Sequence, residues 1–413
     1  MVNRWVKCAF IGICGLGIAG CWDRVEIEQR GFVVGIAIDG LQRQQQAGEA
    51  DTGDQAGSAG SERFILTYQI VNPEAMQDGG KSSGSKGEGS RGGEPMMNIT
   101  SEGETLLAAT REMVTRTSRT PYIEHLKMII ISERLAKIGN LGSVLDLYLR
   151  DNEARRGTKI FVSQGNPREA LEVDPQNEKL PVLFIDSIAG NVRKSGKMMH
   201  QARIGDVHEM LLTNESFAVP RMIVHNKQVK LTGAAIIHGY MNRMVGFLND
   251  EETEALNYVT ERMQSDVIDV RTKSGKISYE SKNVKRTVTA KVIDPEHIDF
   301  TIAIGSDGVI GESFADHNYK EEEVIKEVER MAAEQIESRC LQLIDKLQHQ
   351  YHADILALGK HLHHYHPKTW NRVKSNWDYG KTVFSNSNIE VKVTVKVRDF
   401  GAIHKSQKYR TGG

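Results

Sequence analysis

Asn388-Ile389-Glu390-Val391-Lys392-Val393-Thr394-Val395-Lys396-Val397 alternates without a break. Successive side chains of a strand project to opposite faces, so Ile389, Val391, Val393, Val395 and Val397 share one face. Glu390, Lys392, Thr394 and Lys396 share the other, which makes a strand with one buried and one wet side. Upstream, Val324, Val328, Met331, Ile336, Cys340, Ile344, Leu347 and Tyr351 recur mostly every three or four residues. That spacing predicts a long amphipathic helix beginning near Lys320. Residues 284–293 and 298–304 read as two strands joined by the turn Asp294-Pro295-Glu296-His297. Antiparallel sheet packed by one long helix makes residues 266–405 an α+β domain, with a tail over 406–413.

Toward the N-terminus the pattern weakens and then recovers. In a middle region, 173–265, Asp174-Pro175 breaks the chain and helices are expected over 179–191 and 204–212. Pro220 closes a linker-like stretch, and residues 231–238 and 244–247 form a hairpin. Asn249-Asp250-Glu251-Glu252 opens a helix to about Met263, with acidic side chains at its positive end. Before it, residues 21–172 read as a first α+β domain. Strands are expected over 31–39, 64–70, 125–131 and 159–162, and helices over 133–138 and 144–150. A further helix is expected from Thr100, capped by Ser101, with Leu106, Leu107, Met113 and Val114 as its apolar face. Two insertions, near 41–62 and 78–95, are too poor in apolar residues to bury surface and read as loops. The second contains Gly-Ser-Lys-Gly-Glu-Gly-Ser, which lacks the Gly-Lys-Ser/Thr ending of a phosphate loop. The expected architecture is α+β, with three domains of mostly antiparallel sheets packed with helices.

Residues 1–20 have a different character. Arg4 and Lys7 precede the apolar stretch from Cys8 to Gly20, and Ile18-Ala19-Gly20-Cys21 has the form of a bacterial lipobox. Thirteen apolar residues are short of the roughly 20 that span a bilayer, so the stretch reads as a cleaved lipoprotein signal peptide. Cleavage falls between Gly20 and Cys21. Cys21 then carries an S-diacylglyceryl group, optionally with an N-acyl chain such as palmitate, because two or three chains anchor stably where one does not. Cys8 and Cys14 leave with the leader, and Cys340 is left without an internal disulfide partner. Loss of Arg4 and Lys7 takes the formal net charge from −1 to −3, which argues against a nucleic-acid-binding face.

Few side chains are arranged for chemistry. His361-Leu362-His363-His364-Tyr365-His366 offers His361 and His363 as metal-ligand candidates. The run lacks carboxylates or cysteines at a defined spacing, and a solvated helix end explains it as well. Cys340 falls on the apolar face of the long helix and reads as core filler. Carboxylate runs such as Glu321-Glu322-Glu323 sit at helix starts, where the dipole accounts for them. No nucleophile elbow or dinucleotide pattern occurs, and no cofactor is expected. Trp370 and Trp377, seven residues apart, would share a helix face, either as core anchors under the long helix or as partner contacts. Arg150, Asp151, Glu153 and Arg155 are further candidates for partner contact, with internal ion pairing as the competing reading.

Four stretches taken together resemble one family. Cys21-Trp22-Asp23-Arg24-Val25-Glu26-Ile27 with Val34-Gly35-Ile36-Ala37-Ile38-Asp39 is similar to the opening of the Ger(x)C spore germination lipoproteins. Glu124-His125-Leu126-Lys127 with Arg150-Asp151-Asn152-Glu153-Ala154-Arg155 resembles the family's second motif pair. Thr232-Gly233-Ala234-Ala235 with Val245-Gly246-Phe247-Leu248-Asn249-Asp250 is the third, and Ala353-Asp354-Ile355-Leu356-Ala357-Leu358-Gly359 with Tyr365-His366-Pro367-Lys368-Thr369-Trp370 the fourth. Ala37 stands where the family often has a second glycine, and the two insertions are longer than the family needs. The resemblance implies the C-type subunit of a nutrient germinant receptor, without catalytic activity. It implies tethering to the outer face of the spore inner membrane beside an integral-membrane subunit and one other. The complex would sense a small-molecule germinant. The alternative is a solute-binding lipoprotein that captures a nutrient itself, for which two lobes with parallel sheets around a cleft are expected.

Overall fold

The computed structural model describes residues 30–41, 63–73, 76, 95–273, 275–314, 321–380 and 382–399. Both expected insertions fall largely outside these residues, and the leader with Cys21 and the tail do so entirely. The described chain is α+β and contains two sheets.

The first sheet starts as a meander of β1 (Arg30–Leu41), β2 (Arg63–Val71) and β3 (Met96–Gly103). Next come α1 (Leu106–Val114), the short β4 (Thr120–Tyr122), β5 (Met128–Ser132), α2 (Glu133–Ile138), α3 (Leu141–Arg150) and β6 (Lys159–Gln164). After α4 (Pro167–Ala170), α5 (Pro181–Gly190), β7 (Ala202–Arg203) and α6 (Ile204–Leu212), the chain adds β8 (Phe217–His225), β9 (Gln228–His238) and β10 (Arg243–Leu248). The strand order is β10-β9-β8-β6-β5-β1-β2-β3, with β4 and β7 to the side. The central strands β8, β6, β5 and β1 are parallel and the flanks antiparallel. Met128-Ile129-Ile130-Ile131 explains the centre: an unbroken apolar run suits a strand covered on both faces. Ile129 and Ile131 pack with α1, α2, α3 and α6, whereas Met128 and Ile130 pack with α4 and α5.

Two local expectations are corrected here, at Thr100 and at Pro220. Residues from Thr100 do not begin a helix: they finish β3, which pairs with β2 from Phe64 to Val71. Thr105 caps α1 instead, its Oγ1 accepting from Ala108 N, and Ser101 Oγ donates to the Ala109 carbonyl. The buried face of α1 is accordingly Leu106, Ala109 and Met113, with Leu107 and Val114 in solvent. Pro220 is not in a linker but inside β8, beside a register shift between Pro220 and Met222. A bulge tolerates a residue that has no N–H to give the ladder. The strands of residues 173–265 build no sheet of their own, because β8, β9 and β10 extend the first one.

The second sheet is reached through α7 (Asp250–Val259), opened by a reciprocal cap between Asn249 and Glu252. It holds β11 (Asp266–Thr272), β12 (Gly275–Val292), β13 (Ile298–Ser313) and, after the helices, β14 (Asn388–Asp399). The intervening helices are α8 (Glu322–Lys346), α9 (Leu358–Tyr365), α10 (Pro367–Val373) and α11 (Val383–Asn386). β11, β12 and β13 are antiparallel, but β14 joins β13 in parallel, from Asp299 opposite Asn388 onward. The helical crossover returns the chain to the same end of the sheet, so the antiparallel expectation fails at this pair. The alternation of β14 persists because α8 covers one face: Ile389, Val391 and Val395 are buried and Glu390, Lys392 and Lys396 exposed. Val328, Ala332, Ile336, Cys340, Leu343 and Ile344 form the buried stripe of α8. Among the described residues, no helix is long and apolar enough to cross a membrane.

Candidate functional site

A connected set of buried polar groups lies where the helices after α8 meet β9 and its flanking turns in the first sheet. Beyond α8 one π-helical turn, Leu347–Tyr351, ends at His352, whose φ of 50° turns the chain left-handed. A second left-handed residue, Ala357 with φ of 60°, starts α9. Between them the backbone wraps around Asp354. Its Oδ1 accepts from the N–H groups of Leu356 (3.1 Å) and Leu358 (3.2 Å), and its Oδ2 from Gly359 N (2.7 Å) and Trp377 Nε1 (2.8 Å). Burial pushes the Asp354 carboxyl above its usual range, and the donors from Gly359 and Trp377 pull it back.

Asp378 carries the arrangement across to the sheet. Ser216 Oγ donates to Asp378 Oδ2 at 2.5 Å and accepts from Gly239 N at 3.1 Å. His238 Nε2 donates to the Asp378 carbonyl at 2.9 Å, while its Nδ1 accepts from Met241 N at 3.3 Å. These partners suit a neutral ring with the proton on Nε2. Ser216, His238 and Asp378 have the composition of a hydrolytic triad but not its wiring. A triad runs from hydroxyl to imidazole to carboxylate, whereas here the hydroxyl meets the carboxylate and the imidazole meets the main chain. All three are buried, so the arrangement acts as a clamp between the two halves of the chain. Tyr351 adds to the clamp by packing over Gly246, where a Cβ would lie 2.3 Å from its ring, and its hydroxyl donates to the Phe247 carbonyl.

A second buried cluster joins α7 to α8 and β11. Arg339 Nη1 donates to Glu254 Oε2 at 2.7 Å, and Tyr258 OH donates to Asp266 Oδ2 at 3.3 Å. Burial, and then the nearby Asp266, push Glu254 up to about 7 despite Arg339. Burial also raises Asp266.

The residues singled out in the sequence are scattered. Gly20 and Cys21 lie outside the described residues. Arg150 pairs with Asp146 one helical turn back, Asp151 Oδ1 accepts from Glu153 N, and Arg155 reaches Glu124. These side chains lie on the surface after α3 and none meets the clamp. His361 packs on Tyr365 and His366 and is held below its ordinary value, first by burial. His363 instead lies against Trp370. Among the described residues no three His, Cys, Asp or Glu side chains gather as a metal site. Trp370 and Trp377 do not share a helix face, because α10 stops at Val373. They meet edge to face at 6.0 Å, and Trp377, 4% exposed, is committed to Asp354 and the core. Cys340 is buried against the Ala255 carbonyl, and burial pushes its thiol up to about 12.

Two family models cover this arrangement. "Spore germination protein N-terminal domain" matches residues 23–224, and "Spore germination B3/GerAC like, C-terminal" matches residues 232–401. The chain belongs to the Ger(x)C family of spore germination proteins. Spore germination protein B3 of Bacillus subtilis (strain 168) is 29% identical over 399 residues, spanning 94% of this chain and 96% of that one. Spore germination protein YndF of the same strain is 27% identical over 400 residues, spanning 96% and 97%. The crystal structure of the GerBC protein has the same fold, with a TM-score of 0.57 at 24% identity over 81% of this chain and 94% of that chain. In this Ger(x)C chain the two family segments part within the β8–β9 hairpin. The C-terminal segment therefore lends β9 and β10 to the first sheet, and Ser216 and Asp378 bridge the segments. Sequence reasoning reached Asp354 only as part of a family motif, and Trp377 through its spacing from Trp370. Ser216, His238 and Asp378 carry no local signal, because 162 residues separate Ser216 from its partner.

Proposed function

We propose that this protein is the lipid-anchored, non-enzymatic subunit of a nutrient germinant receptor. It is held at the outer face of the spore inner membrane and acts by assembling with an integral-membrane subunit and one further subunit, coupling their response to a small-molecule germinant. The observation that carries this reading is the match of both spore germination family segments along nearly the whole chain. Two others support it. The lipobox cysteine stands nine residues before β1, so a fully extended tether keeps that strand within about 30 Å of the bilayer. The buried acids of the clamp hold the chain's own N–H groups, which is structural work. Cys21→Ala tests the anchor: we expect the protein to leave the membrane fraction and to lose lipid labelling, and retention of both would contradict it.

One feature favours direct nutrient capture as a second reading. At the carboxyl ends of the parallel strands β1, β5 and β6, a depression of about 710 Å³ is lined by Asp39, Ser132, Glu133, Arg134, Gly165 and Asn166, among others. Open sheets commonly place ligands there. Calorimetric titration of the soluble body with amino acids and sugars separates the readings, because saturable heat would favour capture.

A further inference from the structure

Three of the large apolar side chains that the described surface exposes line one depression. Ile138 comes from the end of α2, Tyr240 from the β9–β10 turn and Tyr379 from beyond α10. The depression, about 460 Å³, is completed chiefly by Asn140, Met241 and Arg243. Tyr240 and Tyr379 stack with centroids 3.8 Å apart and planes 20° from parallel, yet remain 53% and 42% exposed. Stacked tyrosines open to water form a wide amphipathic surface with few rotatable bonds, the kind that anchors protein interfaces.

The shelf is built rigidly. Asn242, at a φ of 51°, accepts from Leu141 N with its main-chain oxygen (3.1 Å) and from Gly142 N with its Oδ1 (3.0 Å). This fastens the β9–β10 turn to the start of α3. Beneath, the edge of His238 packs on Tyr379 at 6.3 Å while its Nε2 holds the Asp378 carbonyl. The shelf therefore rests on the clamp and takes residues from both family segments. Arg243 stands at its rim, exposed, with one weak bond to Met241 Sδ at 3.6 Å and no carboxylate partner among the described residues.

We propose that this shelf docks the integral-membrane subunit of the receptor, through an apolar or aromatic side chain flanked by a carboxylate. The side chain lies on the tyrosine pair and the carboxylate pairs with Arg243. A charge left unpaired beside exposed aromatic rings is complementary to that chemistry. The proposal rests on the receptor reading above. Its consequence is that the partner grips both halves of the chain at the point where the clamp joins them.

The test uses the full-length, membrane-anchored protein co-expressed with the tagged integral-membrane subunit of its receptor. A photoreactive phenylalanine analogue replaces Tyr240, and in a control it replaces Leu107, which α1 exposes beside β3 at the far edge of the first sheet. We expect a cross-linked adduct from position 240 and none from position 107. Arg243→Glu should reduce the adduct at least fivefold with melting temperature and membrane fraction unchanged. If the two subunits co-purify but position 240 gives no adduct, or the adduct survives Arg243→Glu, the docking surface is wrong and the receptor reading stands. If they do not co-purify, both fall.

Discussion

Asp354 meets its four donors with two oxygens, and each donor would be orphaned in the interior without it. An orphaned buried donor costs about 1–3 kcal/mol. Asp354→Ala is therefore expected to lower unfolding stability by about 3–5 kcal/mol, the range for breaking a buried charged network. Asp354→Asn, which turns an NH₂ toward two of the donors, should fall between it and the wild type. Urea titration measures both, and a loss below about 0.5 kcal/mol for the alanine variant would show that the clamp does not hold the fold. Glu254 gives a pH signature. Its folded value of about 7 lies above the ordinary 4.5, so the folded state keeps a proton that the unfolded chain has already released. Stability from this group is full below pH 4.5 and declines as pH rises toward 7 and beyond, by on the order of 3 kcal/mol. Melting curves between pH 4.5 and 8 should fall less steeply for Glu254→Gln, and parallel curves for the two proteins would contradict the assignment.

At the scale of elements, periodicity was legible wherever one face of an element met one core. β14 and α8 each cover a single layer, and their patterns in the sequence match their burial in the structure. β5 was legible from composition, since an apolar run covered on both faces needs no alternation. The α1 start was misread because Ser101 and Glu102 look like a cap. Pairing with β2 outweighed that local preference, and the helix began four residues later at a second capping residue, Thr105. The direction of β14 was illegible, because alternation reports faces and not neighbours. The α9–α10 region rests on Gly359, where an added Cβ would lie 2.7 Å from Trp377 Nε1 and 3.0 Å from the Trp370 ring. Gly359→Ala is expected to cost about 1–3 kcal/mol by overpacking. It should also shift tryptophan emission, and an unchanged spectrum with unchanged stability would mean that the indole pair does not pack on this turn.

At the scale of the molecule, the sequence shows two family segments and the structure joins them through a shared sheet. β9 and β10 come from the C-terminal segment, yet they extend the parallel strands of the first, and the Ser216–Asp378 bond locks the crossing. Such a join could not be read from composition, because each partner is an ordinary polar residue in its own stretch. The work proposed for this subunit is to be held by others, and the clamp lies beside the tyrosine shelf. That work is tested most directly in spores whose sole germinant receptor includes this protein. Deleting its gene should abolish the loss of optical density on nutrient addition, and restoring the wild-type gene should bring the response back. Spores that lack the gene and still respond to nutrient at the parental rate would contradict the account.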